Sequence, residues 1–445
     1  MRILIVAQYY TPDITAAAFR IAETAELLAA RGHEVVVVTA EPHRVQAKAP
    51  APAKEEGRRN PRVHRVRIEP LQGSGLKAYL RHYFSFVLRA RRAGRAFIRE
   101  GFNPDVIWVS SPPLFVGLVG PALRCAGKGA RFFLDIRDLW PDTAVAAGQI
   151  SREGKAYRIG RLLERRLYRR ADGMSCVASP MAEYLREATG GSKPVAVVYN
   201  GVAAATVPTA PEAPPTPRGE SAAGRPSAVA EEPPAATDDP SAATEEPPAA
   251  NRDHPAPTVG EILYAGNWGR LQGLDTLLRA WSQVANEPFY REWKVRLIGS
   301  GVMEGELREL LKELEISDRV VMEEPISKGE ALRRMEGAGV LFLNLRPDPV
   351  FSYTIPSKLF DYLRAGRPIV GGIPGEGETI LRESGGNVTF PPSNTEALVE
   401  ALHRVAEGYA ELEARAPDNR RLVLERFTRE AATSSLEQLL LSRRA

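Results

Sequence analysis

Tyr353-Thr354-Ile355-Pro356-Ser357-Lys358-Leu359-Phe360-Asp361-Tyr362-Leu363-Arg364-Ala365-Gly366-Arg367-Pro368-Ile369-Val370 is the stretch on which the reading of this chain turns. Pro356 opens a short helix, Gly366 stops it, and the apolar residues from Pro368 return as a buried strand. A helix start of this kind leaves backbone N–H groups and the positive end of the helix dipole free to face an anion, and the geometry suits a diphosphate. Ser357 and Lys358 stand in the first turn, where Lys358 adds a point charge. Asp361 lies one turn further on, where its carboxylate can accept hydrogen bonds from vicinal ribose hydroxyls. The same residues also spell an ordinary capped amphipathic helix, so the rest of the chain has to decide.

Outward from that stretch, short apolar runs rich in β-branched residues alternate with helical-period segments, the signature of parallel strands in βαβ units. Strands are expected at 262–266, 295–298, 320–323, 340–343, 368–371 and 387–390, with a helix over 274–284. In the first half they are expected at 3–7, 35–39, 106–109, 132–136 and 174–177, with a helix from about Phe19 to the glycine stop at Gly32. The fold class is therefore α/β: two Rossmann-like, doubly wound domains facing a central cleft. Residues 203–257 interrupt them. Pro and Ala dominate there and a seven-residue unit recurs between 231 and 251, a composition expected to remain a solvated spacer. The expected division is 1–202, the 203–257 linker, 258–425, and a C-terminal helix at 426–445 placed to pack back on the first domain.

Length and composition agree with two cores: 445 residues, of which 44% are hydrophobic and 26% charged. Two cysteines leave no room for a disulfide framework or a metal cluster, which favours a reducing cytoplasm. No histidine pair has metal-ligand spacing, so no metal is expected. The apolar start at Ile3 runs into Gln8 without a cleavage-site pattern and reads as a strand, and Pro112, Pro113 and Pro121 break the charge-free run from Val106. The net charge is only +4, but cations crowd two segments, 76–99 and 152–170. The first interleaves arginines with Tyr79, Tyr83, Phe84, Phe86 and Phe97, the composition of a helix on an anionic membrane surface. A solvated helix face is the plainer reading of it. Nucleic acid is a third, which nothing else in the chain supports.

Chemistry-bearing residues concentrate in loops after strands, which in parallel sheets face the ligand crevice. Gly266, Asn267, Gly269, Arg270 and Gln272 lie in a glycine-rich βα turn whose N–H groups, with Arg270, can hold a phosphate, although such glycines often serve only close helix packing. Arg137 and Asp138 are candidates to bind or polarise a substrate, or else close a turn as a salt bridge. Thr15 and Ala16 permit close approach to backbone and Arg20 can reach the crevice, with helix-start packing as the rival reading.

The order of these motifs resembles GT-B glycosyltransferases of the large retaining family four, also called group 1, and within it bacterial surface-polysaccharide transferases of the fucosamine-transferase type. The matching stretches are 9–20, 31–35, 110–113, 137–141, 200–202, 266–273, 356–366 and 390–392. The resemblance implies transfer of a sugar, with retention and without a divalent metal or other cofactor, from a nucleoside diphosphate donor held by the C-terminal domain. It places the acceptor on the N-terminal domain. The chain departs from the family where an arginine and a lysine are usual, at Asn267 and Gln272, and Tyr353 stands at the first of two usual glutamates, Asp361 fitting the second. Arg137 replaces a histidine common in relatives. Diphosphate charge then falls to Arg270 and Lys358, and Asp138, Arg137, Glu376 and Glu378 are the candidates to orient sugar and acceptor.

The function expected is a peripheral enzyme of the cytoplasmic membrane face, using a nucleotide sugar and a lipid-linked saccharide acceptor in cell-surface polysaccharide synthesis. The alternatives are a sugar-nucleotide 2-epimerase of the same fold and a non-catalytic partner in a polysaccharide assembly.

Overall fold

In the computed structural model, which describes residues 1–13, 15–43, 60–70, 76–111, 114–127, 129–203 and 260–442, the first half forms a seven-stranded parallel sheet. Its strands are β1 (Arg2–Val6), β2 (Glu34–Ala40), β3 (Arg62–Val66), β4 (Val106–Ser111), β5 (Arg131–Ile136), β6 (Gly173–Cys176) and β7 (Val195–Val197), in the order β3-β2-β1-β4-β5-β6-β7. Ile3 sits opposite both Val35 and Val106, so β1 is central. Helices cover both faces, which is why β1, β4 and β5 are apolar almost without alternation. Leu4, Val6, Ile107 and Leu134 share one core with the helices Leu76–Arg99 and Lys155–Arg170. Ile3, Ile5, Val35 and Trp108 share another with the opening helix Ala16–Ala30 and the last helix, Arg429–Leu441.

The second half repeats the plan with β8 (Glu261–Asn267), β9 (Lys294–Ser300), β10 (Val320–Glu323), β11 (Val340–Asn344), β12 (Ile369–Gly372) and β13 (Asn387–Thr389), parallel in the order β10-β9-β8-β11-β12-β13. All the expected strands are present within a residue or two. β3 and β7 were not expected: both are edge or near-edge strands, only half buried, and their short runs lack a continuous apolar signal. The Pro- and Ala-rich stretch 203–257 lies, apart from Ala203, outside the described residues.

The order of strands reverses between β1 and β4 and again between β8 and β11. Ligands of such sheets bind beyond the carboxyl ends of the strands at these reversals. The described residues pack as one unit, and the end of the first half at Asn200–Val202 runs beside the segment Phe427–Arg429 that returns from the second half. There Val202 pairs with Thr428, the Val202 N–H donating to Phe427 O at 2.8 Å and the Arg429 N–H to Val202 O at 2.7 Å. Gly201 has φ +44°, and a Cβ on it would come within 2.9 Å of Thr428 O, so the close crossing requires glycine. The last helix then returns to the first half, where Glu437 pairs with Arg31 at 2.7 Å and His33 at 2.6 Å.

Candidate active site

The helix Ser357–Ala365 buries Leu359, Tyr362 and Leu363, sets the Phe360 ring against Phe427 and Tyr199, and turns Ser357, Lys358, Asp361 and Arg364 toward a cleft of about 670 Å³. The spacing of 357, 361 and 364 follows the 3.6-residue period, which gathers them on one face. Pro356 caps the helix without a side-chain hydrogen bond and its carbonyl accepts from the Leu359 N–H at 3.0 Å, so the N–H groups of Ser357 and Lys358 are left for another acceptor.

Lys358 does not reach straight into solvent. Its ammonium lies 4.9 Å from the centroid of the Tyr264 ring and crosses the backbone of Gly266, where a Cβ would come within 2.2 Å of Lys358 Cε. The glycine in the β8 loop thus makes room for the lysine. Burial pushes the Lys358 ammonium down to about 8. Burial also pushes the Asp361 carboxyl up, against the pull of Lys328, Arg364, Arg429 and Lys358 around it.

The other walls come from both halves. Thr15 caps the opening helix by accepting from Ala18 N at 3.1 Å, and with Ala16 and Phe19 it lines the cleft. The crossing at Asn200, Gly201 and Val202 forms the floor, with Arg429 donating to Asn200 O. Glu23 ties Arg429 at 2.8 Å and Lys328 at 3.5 Å, and the Lys328 ammonium stands 4.4 Å over the ring of Phe19. Ile298, Ile326, Leu332 and Met335 make an apolar wall on the second-half side. The cleft therefore offers cations and unused helix N–H groups for an anion, one carboxylate for hydroxyls, and an apolar wall for a flat ring.

Two family models match the chain: "Glycosyl transferase 4-like domain" over residues 15–201 and "Glycosyl transferases group 1" over residues 260–407. The chain belongs to the group 1 glycosyltransferases of GT-B fold. It is 27% identical over 437 residues, 92% of this chain and 96% of the relative, to WcaI of Escherichia coli (strain K12), named as a candidate colanic acid biosynthesis glycosyl transferase. Similar solved structures include a sucrose-phosphate synthase of Thermosynechococcus elongatus, with a TM-score of 0.69 at 16% identity over 99% of this chain and 98% of that one. Anabaena HepE in complex with UDP-glucose has a TM-score of 0.63 at 13% identity over 99% of both chains.

In this glycosyltransferase Gly266, Asn267, Ser357, Lys358, Asp361, Thr15 and Ala16 come together in the cleft, while other candidates do not. Arg270 turns outward, pairs with Glu306 at 2.9 Å, both exposed, and does not line the cleft. Gln272 and Gly269 lie beyond Asn267, the glycine leaving space for the side-chain amides of Gln272 and Asn267, and neither lines the cleft. Arg20 and Arg137 are clamps inside the first half. Asp135 accepts from Arg137 Nε at 2.9 Å, from Ser110 and Ser175 hydroxyls at 2.8 Å each, and pairs with Arg20 at 3.0 Å. Burial raises the Asp135 carboxyl, but the Arg137 and Arg20 guanidiniums outweigh it and hold it below the usual range. Burial and the nearby Arg137 charge push Arg20 down to about 9. Arg137 also donates to Val198 O at 2.7 Å and does not line the cleft.

Asp138 does not line the cleft either, but it is unlike its neighbour: its Oδ1 is buried with no hydrogen-bond partner, and burial pushes the carboxyl up to about 6. Glu376 is a latch between the halves. It accepts from Ser179 N at 2.6 Å, at the start of the helix Ser179–Ala188, and from Tyr199 Oη at 2.5 Å. Glu378 pairs with Arg382 one turn on, at 2.7 Å, away from the cleft. Sequence reasoning missed Lys328, Arg364 and Arg429. Arg364 was readable, three residues from Asp361 on the same helix face. Arg429 had no local signal, because the fold brings it to the cleft from the last helix.

Proposed function

We propose that this glycosyltransferase moves a sugar, with retention of configuration, from a nucleoside diphosphate donor to a lipid-linked saccharide at the cytoplasmic membrane face during cell-surface polysaccharide synthesis. The observation that carries the reading is that Lys358, the first-turn N–H groups and Asp361 open from one helix into one cleft shared by both halves. Lys358 and those N–H groups stabilise the leaving diphosphate, where negative charge grows most in the transition state. Asp361 accepts from the ribose hydroxyls, and the nucleobase packs on Ile298, Ile326, Leu332 and Met335. The acceptor enters beside Thr15, Ala16 and Phe19. With protein cations set against the diphosphate, the transfer needs no divalent metal. The printed name of the WcaI relative supports the polysaccharide setting, and the UDP-glucose bound by HepE supports the donor class. In this reading attachment is peripheral; among the described residues no helix is long and apolar enough to cross a membrane.

The test supplies a panel of nucleotide sugars with a lipid-diphosphate saccharide, in chelator, and reads the anomeric configuration of the product by NMR. A retained linkage is expected. An inverted product, loss of turnover in chelator, or sugar release without transfer to any acceptor would overturn the reading.

A further inference from the structure

The two basic segments become the helices Leu76–Arg99 and Lys155–Arg170, on one face of the first sheet with the turn Leu114–Leu118 packed against both. Phe86 and Ala90 of one share a core with Leu167 and Tyr168 of the other. An aromatic ridge joins them: the Phe84 and Phe115 rings lie 5.1 Å apart, Phe115 and Trp140 5.1 Å, and Trp140 lies against Gly160, where a Cβ would come within 2.4 Å of the indole.

Their outer sides are not those of ordinary solvated helices. Leu88 is 59% exposed, Ile159 67% and Leu162 61%, and Phe84 is exposed at 37%. Only Val302 and Leu441 are comparable among the described residues, and each stands alone. Arginines surround the four, with Arg81, Arg91 and Arg92 exposed on the first helix and Arg158, Arg165 and Arg166 on the second. Neither helix offers an exposed acid. The first has none in its sequence, and Glu164 of the second is buried, accepting from Arg161 at 2.6 Å and Tyr168 at 2.9 Å. Large apolar side chains set singly among unneutralised arginines fit a partner that is anionic at its surface and apolar just beneath. Nucleic acid supplies the charge but no apolar depth, and a protein partner would call for a contiguous apolar centre.

We propose that the outer sides of these two helices are a two-pronged docking face for an anionic lipid bilayer. The inference rests on the reading that the acceptor is lipid-linked, and it names the surface that presents that acceptor. The face is connected to the cleft through one short loop. Tyr83 of the first helix touches Tyr9, hydroxyl to hydroxyl at 3.5 Å, and the loop that starts at Tyr9 ends at Thr15 in the cleft wall.

The test floats the full chain with vesicles of phosphatidylglycerol and phosphatidylethanolamine, and with vesicles of phosphatidylcholine alone. Two variants are compared: Leu88→Ser with Ile159→Ser and Leu162→Ser, and Arg91→Gln with Arg92→Gln, Arg165→Gln and Arg166→Gln. The unmodified chain should bind only the anionic vesicles, and each variant should lose roughly tenfold or more in partition. Thermal shift by nucleoside diphosphate, read on the same samples, should be unchanged, which separates failure of the docking face from failure of the donor site. Absence of vesicle binding, equal binding to neutral vesicles, or binding that neither variant weakens would overturn the proposal. So would a dimer of the unmodified chain that the serine variant dissociates without changing vesicle binding, which would make the face an interface between copies.

Discussion

The Lys358 ammonium rests on the face of Tyr264, 4.9 Å from the ring centroid, in space that glycine at 266 leaves open. With its pKa lowered to about 8, the empty cleft loses this cation as pH rises through that value. A bound diphosphate favours the charged form, so binding takes up a proton above about pH 8 and affinity falls there, by at most about tenfold per pH unit. Titration calorimetry from pH 7 to pH 9.5 should show that decline in the unmodified chain and not in Lys358→Arg, whose charge cannot be removed. The stability of the unliganded protein moves the other way. The unfolded chain binds the extra proton between about 8 and the ordinary 10.5, so this residue's contribution to stability rises across that window. Flat affinity across the range in the unmodified chain would show that Lys358 does not meet the diphosphate.

Arg270 should behave differently. Its pair with Glu306 is exposed, and exposed pairs are worth about 0–1 kcal/mol. Arg270→Ala should leave nucleoside diphosphate affinity within about 0.5 kcal/mol, whereas Lys358→Ala should cost about 1.5–3 kcal/mol. Comparable losses in the two variants would return Arg270 to the donor site.

Asp361 faces the cleft one turn after Ser357. Asp361→Ala should weaken binding of a ribonucleoside diphosphate by about 1.5–3 kcal/mol and barely affect its 2′,3′-dideoxy analogue. Equal loss for both ligands in calorimetry would mean that the carboxylate only balances its surrounding cations.

Arg137→Ala leaves the fully buried Asp135 with Arg20 as its remaining cation. Breaking a buried pair of this kind costs about 3–5 kcal/mol. Urea unfolding should report that loss, and a variant of native stability with abolished turnover would instead make Arg137 a group that acts on substrate.

Glu376 and Tyr199 join the halves through a 2.5 Å hydrogen bond. A double-mutant cycle of Glu376→Gln and Tyr199→Phe should show coupling of about 1 kcal/mol or more in stability. Strict additivity would dismiss the latch.

What could be read in advance follows the range of the signal. The helix Leu274–Val284 lies where its glycine loop and apolar spacing put it, and Lys358 and Asp361 share a cleft because a single helix carries both. The glycines around Arg270 announced a turn but not the direction of its side chain, which leans on Glu306. Arg137 follows a strand, where an outward aim was as plausible as the inward one it takes toward Asp135. Glu23 and Arg429 meet across 406 residues, and no local pattern encodes a contact made only when both halves are in place.

The last helix has a consequence for synthesis. Leu436 and Leu440 pack beside the opening helix and against β6 and β7, in the same core as Ile3 and Ile5, so a sheet made early waits for a segment made after the second sheet. On the ribosome, the second sheet has all its parts while the first still shows an oily flank to solvent. Stalled nascent chains ending near residue 426 should therefore yield a protease-resistant second half and a digestible first, the reverse of the order in which the two were translated.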